Sequence, residues 1–335
     1  MVTGGNGYIG SHCVIALLEE GYDVVIFDNN STGFSFIGES LKNMHSKGSV
    51  VDIVEGDLLS PEDIEGAFRG NNVDAVVHFA AYSQVAESMS DPAKYYRNNV
   101  VGTMNLLDLM IKNNVFKIIF SSTAATYGEP IYTPIDEKHP QNPINPYGRT
   151  KLDIEYMMDD YGVAYGLKSV RLRYFNVAGA DSNGRVGESH NPETHLIPNI
   201  LKSTFQGDGE FRLFGTDYDT RDGTCVRDYV NVEDLADAHV LALRYLENGG
   251  DTDFFNIGTN EGSTVREVFT VCEKVAGVKI PMIVEGRRPG DPAILVADNK
   301  KAGVILGWEP KRSLEDSIRT AYAWEKKKRN KDNHI

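Results

Sequence analysis

Cysteine is scarce in this chain, with three residues in 335, Cys13, Cys225 and Cys272. They are odd in number, scattered, and lack metal or redox spacing. That excludes a disulfide framework and suggests structural thiols in a reducing compartment, so a cytoplasmic setting is expected. No metal ligand is assigned anywhere in the chain. Long hydrophobic runs are also missing: none approaches the ~20 residues of a membrane-spanning helix, so no membrane partner is expected. Positive charge is short as well, with 34 Lys and Arg against 48 Asp and Glu and a formal net charge of -14. The balance argues against a nucleic-acid partner, and any anionic ligand must be met by local positive groups. There is no internal repeat and no low-complexity linker. The one basic run, Lys326-Lys327-Lys328-Arg329, reads as the solvated end of a helix. What remains is ordinary globular sequence, 41% hydrophobic, long enough for one large domain or two smaller ones.

The chain is organised around Gly4-Gly5-Asn6-Gly7-Tyr8-Ile9-Gly10. A short apolar entry, Met1-Val2-Thr3, precedes it, and Ser11–Leu18 follows as a helix. The three-residue entry is short for a buried strand and predicts a few further residues ahead of Met1. Strand, glycine-rich turn and helix is the order a dinucleotide site needs: the glycines let backbone approach a pyrophosphate, whose charge sits on the helix N-terminus. Gly5, Gly7 and Gly10 give G-x-G-x-x-G, while Gly4, Gly7 and Gly10 give G-x-x-G-x-x-G. Next comes a continuous apolar run, Asp23–Phe27, as in a parallel strand buried on both faces. It ends at Asp28, 18 residues past Gly10. A carboxylate there accepts hydrogen bonds from an adenosine ribose and repels a 2′-phosphate, favouring NAD over NADP. The plainer alternative is a turn aspartate at a strand end.

Apolar runs and helical patterns then alternate, predicting a parallel sheet with helices on both faces. Strands are expected at 50–54, 75–79, 117–120 and 169–174, with helices at 61–68, from Pro92 through Asn113, and at 145–161. Ligands bind beyond the carboxyl ends of such strands. Those ends carry Asp28, Asp57, Ala80-Ala81, Ser122-Thr123 and Phe175-Asn176. After Asn176 the texture becomes irregular. Helices at 196–205, 232–246, 264–276, 299–306 and 313–328 and strands at 254–257 and 280–284 are expected, with 254–257 returning to the first sheet. The fold class is therefore α/β: a Rossmann-type doubly wound parallel sheet with a smaller, interleaved C-terminal α/β substrate lobe. The expected division is 1–175 plus about 225–260 for the dinucleotide, and about 176–224 and 261–335 for the substrate.

Tyr147-Gly148-Arg149-Thr150-Lys151 sets a phenol and an ammonium four residues apart, on one helix face. Free tyrosine, with pKa ≈ 10, is a poor base at neutral pH. One positive charge at ~4 Å is worth ~4 kcal/mol at an effective dielectric near 20, on the order of 3 pKa units. A lysine ammonium and a nicotinamide cation thus favour phenolate, which accepts a hydroxyl proton. The spacing alone proves little, because Tyr322-Ala323-Trp324-Glu325-Lys326 repeats it. The later copy reads as amphipathic packing. The first is preferred because it lies 24 residues after Thr123, at the end of a sheet strand.

The glycine loop, Ser122-Thr123, Tyr147-x-x-x-Lys151 and the extra C-terminal lobe resemble the extended short-chain dehydrogenase/reductases. More narrowly, the chain resembles the UDP-glucose 4-epimerase family over nearly its whole length. Six stretches carry that likeness in order: Asn98-Asn99-Val100-x-Gly102-Thr103, Asn145-Pro146-Tyr147-Gly148, Arg173-Tyr174-Phe175-Asn176, His195-Leu196-Ile197-Pro198-Asn199, Val226-Arg227-Asp228-Tyr229-Val230 and Gly286-Arg287-Arg288-Pro289-Gly290-Asp291. The resemblance implies that NAD is lined by Gly4, Gly7, Tyr8, Ile9, Gly10, Asp28, Asn29, Asp57, Leu58, Phe79, Ala80, Asn99, Tyr147, Lys151 and Phe175. It implies that Thr123 orients the sugar 4-hydroxyl. Asn176, Asn199, Phe214 near the uracil, Arg227, Arg288 and Asp291 are expected to hold the UDP moiety. Two arginines suit a diphosphate through charge-assisted forks; for Arg227 the alternative is a structural salt bridge beside Asp228. A homodimer through helices near 92–113 and 145–161 is implied too.

The implied reaction is reversible epimerisation of UDP-galactose and UDP-glucose. The Tyr147 phenolate takes the 4-hydroxyl proton while hydride passes to tightly bound NAD. A 4-keto sugar then turns over, tethered through UDP. The chain departs from many relatives in having Ser83 or Gln84 where they carry a lysine near the nicotinamide. Leu295 falls near the family's sugar-pocket gate, where tyrosine goes with plain hexoses and a small residue also admits N-acetylated sugars. Leucine leaves both open. Dehydratase and decarboxylase relatives need acidic residues directly after the threonine, and here that place is Ala124-Ala125. A non-catalytic dinucleotide sensor tends to lose the Tyr/Lys pair, which this chain keeps.

Overall fold

The computed structural model describes residues 1–335 except 45, 191, 206–208, 288–290 and 333–335, and the helical backbone alone for 331 and 332. In chain order the first six strands are β1 Val2–Thr3, β2 Val24–Asp28, β3 Val50–Glu55, β4 Val76–His78, β5 Lys117–Thr123 and β6 Lys168–Tyr174. There follow β7 Asn176–Ala178, β8 Phe211–Phe214, β9 Val226–Asn231, β10 Asp253–Ile257, β11 Gly262–Thr264, β12 Met282–Glu285 and β13 Ile294–Leu295. Seven of them form one parallel sheet in the order β10-β6-β5-β4-β1-β2-β3. This is the doubly wound order, reversing beside β1, with β10 added at the far edge. β10 lies parallel to β6 with Asp253 against Val170 and Ile257 against Tyr174, so the run at 254–257 does return to the first sheet.

Each face of that sheet carries its own core. One packs the Tyr8–Glu19 and Val232–Glu247 helices over Val24, Ile26, Val170 and Phe255. The other packs the Pro61–Gly70, Gly102–Lys112 and Pro146–Tyr165 helices over Phe27, Val76, Ile118 and Phe120. Strands buried on both sides explain why β2 reads as five apolar or strand-end residues without alternation. A third core joins Ile200, Leu213, Tyr229, Phe269 and Ile318, from the Leu196–Ser203, Val265–Ala276 and Leu314–Asp332 helices and β8 and β9. Beside it, β9 is antiparallel to β11 and parallel to β7 and β13, and β8 pairs with β12. The second Tyr-x-x-x-Lys copy packs as expected: the Tyr322 ring stacks on Phe205 at 5.3 Å, and Lys326 is exposed.

The expected single helix from Pro92 to Asn113 is interrupted. An α-turn, Pro92–Tyr95, passes through a π-helical segment, Tyr96–Val101, into the Gly102–Lys112 helix. Such widened turns re-aim side chains that a regular helix points elsewhere. Here the re-aimed residue is Asn99, which is fully buried.

Candidate active site

The carboxyl ends of β1, β2, β4, β5 and β6 open onto one crevice of about 840 Å³. That is within the size range of small-ligand sites. One wall is the glycine loop. Gly4 has φ +72, and a Cβ there would lie 2.8 Å from the Ala80 nitrogen. A Cβ on Gly10 would lie 2.1 Å from the Gly4 carbonyl oxygen. The Tyr8–Glu19 helix starts at Gly7 with no side-chain cap, so its N-terminal end faces the crevice unscreened. Gly4, Gly7, Tyr8, Ile9 and Gly10 all line the space.

Asp28 ends β2 at the rim and is held by two backbone donors, Asn6 N–H at 2.9 Å and Asn30 N–H at 2.8 Å. Burial raises its carboxyl above the usual range, and those two donors pull it back. Asn29 donates to Asp57 at 2.9 Å. Both line the crevice, as do Leu58, Phe79 and Ala80. Asn99 does not. Its amide is consumed by Tyr82 N–H at 2.9 Å, the Tyr82 carbonyl at 3.0 Å and the Thr150 hydroxyl at 3.2 Å. It ties the loop after β4 to the tyrosine-bearing helix.

That helix, Pro146–Tyr165, is started by proline and by the Asn145 side chain, which accepts from Gly148 N–H at 2.8 Å. The cap fixes Tyr147 in the first turn, facing the end of β5. Thr123 closes β5, its hydroxyl accepting from Ala125 N–H at 3.1 Å. Thr123, Tyr147 and Lys151 share the crevice with the glycine loop and Asp28. Burial pushes the Tyr147 phenol up to about 12, and a hydrogen bond from Thr123 pulls it down. Lys151 is not among the groups that lower it, and the expected fall toward neutral pH calls on the nicotinamide charge as well as the lysine. Burial also lowers the Lys151 ammonium to about 7, against the opposing charge of Glu155. The Lys151 ammonium donates to the Ser121 carbonyl at 2.8 Å and lies 4.7 Å above the Phe120 ring. Glu155, one turn on, is ion-paired with Arg173, both side chains at most 3% exposed.

On the other wall stand Phe175, Asn176, Arg227, Asp291 and Leu295. Arg227 does not pair with its neighbour Asp228. Asp228 accepts from Thr259 N–H at 2.7 Å and Ala297 N–H at 3.1 Å, deep in the lobe. Arg227 is instead ion-paired with Asp291, so two expected ligand-holding residues hold each other. Asn199 lies one turn inside the Leu196–Ser203 helix, its amide 3.4 Å from the Glu193 carbonyl, and does not line the crevice. Phe214, on β8, is also not among the lining residues. Arg288 lies outside the described residues. Its neighbour Arg287 pairs with Asp217 at 2.7 Å.

Sequence reasoning misses His190, Thr194 and His195, which all line the crevice. The signal was within reach: His195 caps the helix of the quoted His195–Asn199 stretch and sits at the crevice end of it.

A doubly wound sheet with a glycine-loop crevice and a Thr/Tyr/Lys set at the end of β5 defines an extended short-chain dehydrogenase/reductase. The family described as GDP-mannose 4,6 dehydratase matches residues 1–321. A Lactobacillus helveticus protein described as UDP-glucose 4-epimerase is 50% identical over 327 residues, covering 97% of this chain and 96% of the relative. The Brucella ovis UDP-glucose 4-epimerase structure, in complex with NAD, superposes with TM-score 0.90 at 45% identity, covering 96% of each chain. The Bifidobacterium longum UDP-glucose 4-epimerase structure, with NAD+ and UDP, has TM-score 0.90 at 39% identity over 98% of each chain. Within the wider family, this chain belongs to the UDP-glucose 4-epimerases.

Proposed function

We propose that this chain is an NAD-dependent isomerase that interconverts UDP-galactose and UDP-glucose at sugar C4. The observation that carries the reading is the meeting of Thr123, Tyr147 and Lys151 with the glycine loop and Asp28 in one crevice, with Ala124-Ala125 beside the threonine. Two alanines give no acid or base for elimination, which separates this site from dehydratase and decarboxylase chemistry.

The residues fit NAD. The close approach of Gly4 to Ala80 and of Gly10 to Gly4 leaves no space for side chains, as a pyrophosphate cradle requires. The buried Asp28 carboxylate suits two ribose hydroxyls and opposes a 2′-phosphate. Gly7, Tyr8, Ile9, Asn29, Asp57, Leu58, Phe79, Ala80, Tyr147, Lys151 and Phe175 complete that half, and Asn99 supports it from behind. When bound, NAD supplies acceptance of hydride from sugar C4 and its return.

Tyr147 accepts the 4-hydroxyl proton and gives it back, while Thr123 orients both hydroxyls. With a phenol raised by burial, the phenolate is a strong base once formed, and positive charge brought to the site lowers the cost of forming it. Lys151 fixes the Ser121 end of β5 and holds its charge one turn away. Arg227, released from Asp291 or sharing it, meets the diphosphate, with Asn176 beside it. The same reading places the protein in the cytoplasm. It also makes the chain a homodimer, through exposed Met104, Tyr156 and Val163, the last two on one face of their helix.

Incubating purified protein with UDP-galactose and no added cofactor tests the reading. UDP-glucose is expected, approaching equilibrium. Absence of product both without and with added NAD overturns it.

A further inference from the structure

Four residues on the segment between β7 and the Leu196–Ser203 helix point their ligand atoms at one another. Glu188, His190, Glu193 and His195 each offer one atom, and all four lie within 4.8 Å of each other. Glu188 is 3.2 Å from His190 Nδ1 and closely bonded to His195 Nδ1. Glu193 is 3.8 Å from His190 Nδ1 and 3.7 Å from His195 Nδ1. With bonds of 2.0–2.1 Å, tetrahedral zinc separates its ligand atoms by roughly 3.3 Å. The spacings of 3.2–3.8 Å lie near that value, and the closer Glu188–His195 contact opens to admit the ion.

Ion pairing among the four residues leaves atoms unsatisfied. The Glu193 side chain is 2% exposed, and its Oε2 is buried without a hydrogen-bond partner. Its Oε1 already accepts from Thr194 N–H at 2.8 Å and His195 N–H at 2.9 Å. His190 Nδ1 is buried with carboxylates on two sides, Glu188 at 3.2 Å and Glu193 at 3.8 Å, and neither contact has the alignment of a hydrogen bond. A buried carboxylate oxygen without a hydrogen bond is costly, and a cation bound by Glu193 beside the two histidines satisfies it. Two imidazoles with two carboxylates suit zinc and its neighbours rather than magnesium or calcium.

The surroundings hold the set in place. The Glu188 carbonyl accepts from Trp324 Nε1 at 2.9 Å and Lys328 Nζ at 3.0 Å, on the C-terminal helix. Tyr8, from the start of the glycine-loop helix, meets the His190 ring edge-on at 6.4 Å. His190 and His195 also face the crevice. We propose that Glu188, His190, Glu193 and His195 bind one divalent transition-metal ion of the zinc type. It pins the crevice wall to the glycine-loop helix and the C-terminal helix. The two carboxylates balance the charge of the ion, and the ion takes no part in hydride or proton transfer.

The test uses untagged full-length protein as purified, treated with chelator and dialysed, then titrated with Co²⁺ as a spectroscopic probe. One equivalent is expected to bind, with a visible ligand-field spectrum that Zn²⁺ abolishes. His195→Ala and Glu193→Gln are each expected to weaken binding at least ~100-fold, since even outer-shell partners of a metal cost 10–100-fold. Absence of stoichiometric binding, or unchanged affinity in both variants, overturns the proposal. Should the variants fail to fold, the wild-type melting temperature decides. A saturable rise with Zn²⁺ and none with Mg²⁺ supports the site, and no rise with Zn²⁺ removes it. These readouts are independent of epimerase turnover.

Discussion

Lys151 lies one helical turn after Tyr147 but donates its ammonium to the Ser121 carbonyl, 2.8 Å away. The pair therefore divides its work. The lysine clamps the end of β5 that presents Thr123, and the tyrosine is left with Thr123 as its polar neighbour. Tyr147→Phe keeps the ring and removes the proton carrier. Turnover of UDP-galactose should fall at least ~100-fold, the low end for a general acid–base. NAD released on denaturation should stay at wild-type level, and a near-normal rate would remove Tyr147 from the mechanism.

The burial of Lys151 makes a prediction about stability. Its folded pKa, about 7, lies below the 10.5 of an unperturbed lysine. Between those values the unfolded chain binds the extra proton, so this residue's contribution to stability rises with pH across that window. Relative to Lys151→Met, the wild type should gain roughly 1 kcal/mol per pH unit above 7, read from urea titrations. A pH-independent difference counts against it.

Arg227 and Asp291 form the ion pair on the opposite wall. Arg227→Met should weaken UDP binding by calorimetry at least ~30-fold, given the 2–5 kcal/mol attached to truncated buried charge pairs. Arg227→Lys should recover little, because a point charge does not replace a planar fork. Full recovery by lysine would reassign Arg227 to charge balance alone.

Gly10→Ala puts a methyl group where 2.1 Å separates it from the Gly4 carbonyl. The loop must shift, so co-purified NAD should drop sharply and the melting temperature should fall. Gly66→Ala, inside the Pro61–Gly70 helix, meets nothing within 4 Å and serves as the control, with co-purified NAD unchanged and the melting temperature equal or slightly raised.

Leu295 joins Ala124, Tyr127 and Ile135 in a small apolar cluster beside the crevice. Leu295→Gly should raise the kcat/KM for UDP-N-acetylgalactosamine relative to UDP-galactose, and an unchanged ratio would take Leu295 out of sugar selection.

The fold was legible where one period governed the sequence. β2 reads correctly because both its faces are buried, and Asp28 because a polar residue ending such a run stands out. The helix starting at Pro146 was legible from Asn145-Pro146, a cap and a first-turn proline. What escaped has tertiary causes. The π-helical turn at Tyr96–Val101 follows from packing Asn99 against Tyr82 and Thr150, partners 17 and 51 residues away. For Arg227, expected to hold UDP, the alternative pairing with Asp228 fails because alternation along β9 sends adjacent side chains to opposite faces, while its actual partner Asp291 lies 64 residues away. The four Glu and His atoms around His195 meet in an irregular segment, where no helical or strand period predicts proximity.

β10 enters the large sheet only after the chain has left it and passed through β7, β8 and β9. During synthesis β6 is therefore an open edge from residue 174 until Asp253–Ile257 emerges. In the finished fold, Asn256 on β10 accepts from the Tyr127 hydroxyl at 2.7 Å, and that oxygen accepts from Arg173 at 3.0 Å. A ribosome-bound or recombinant fragment ending near residue 175 lacks both its sheet edge and the partner of that network. Such a fragment is therefore expected to expose a bare strand edge and to aggregate when expressed alone, and adding back the chain through Ile257 is expected to cover it.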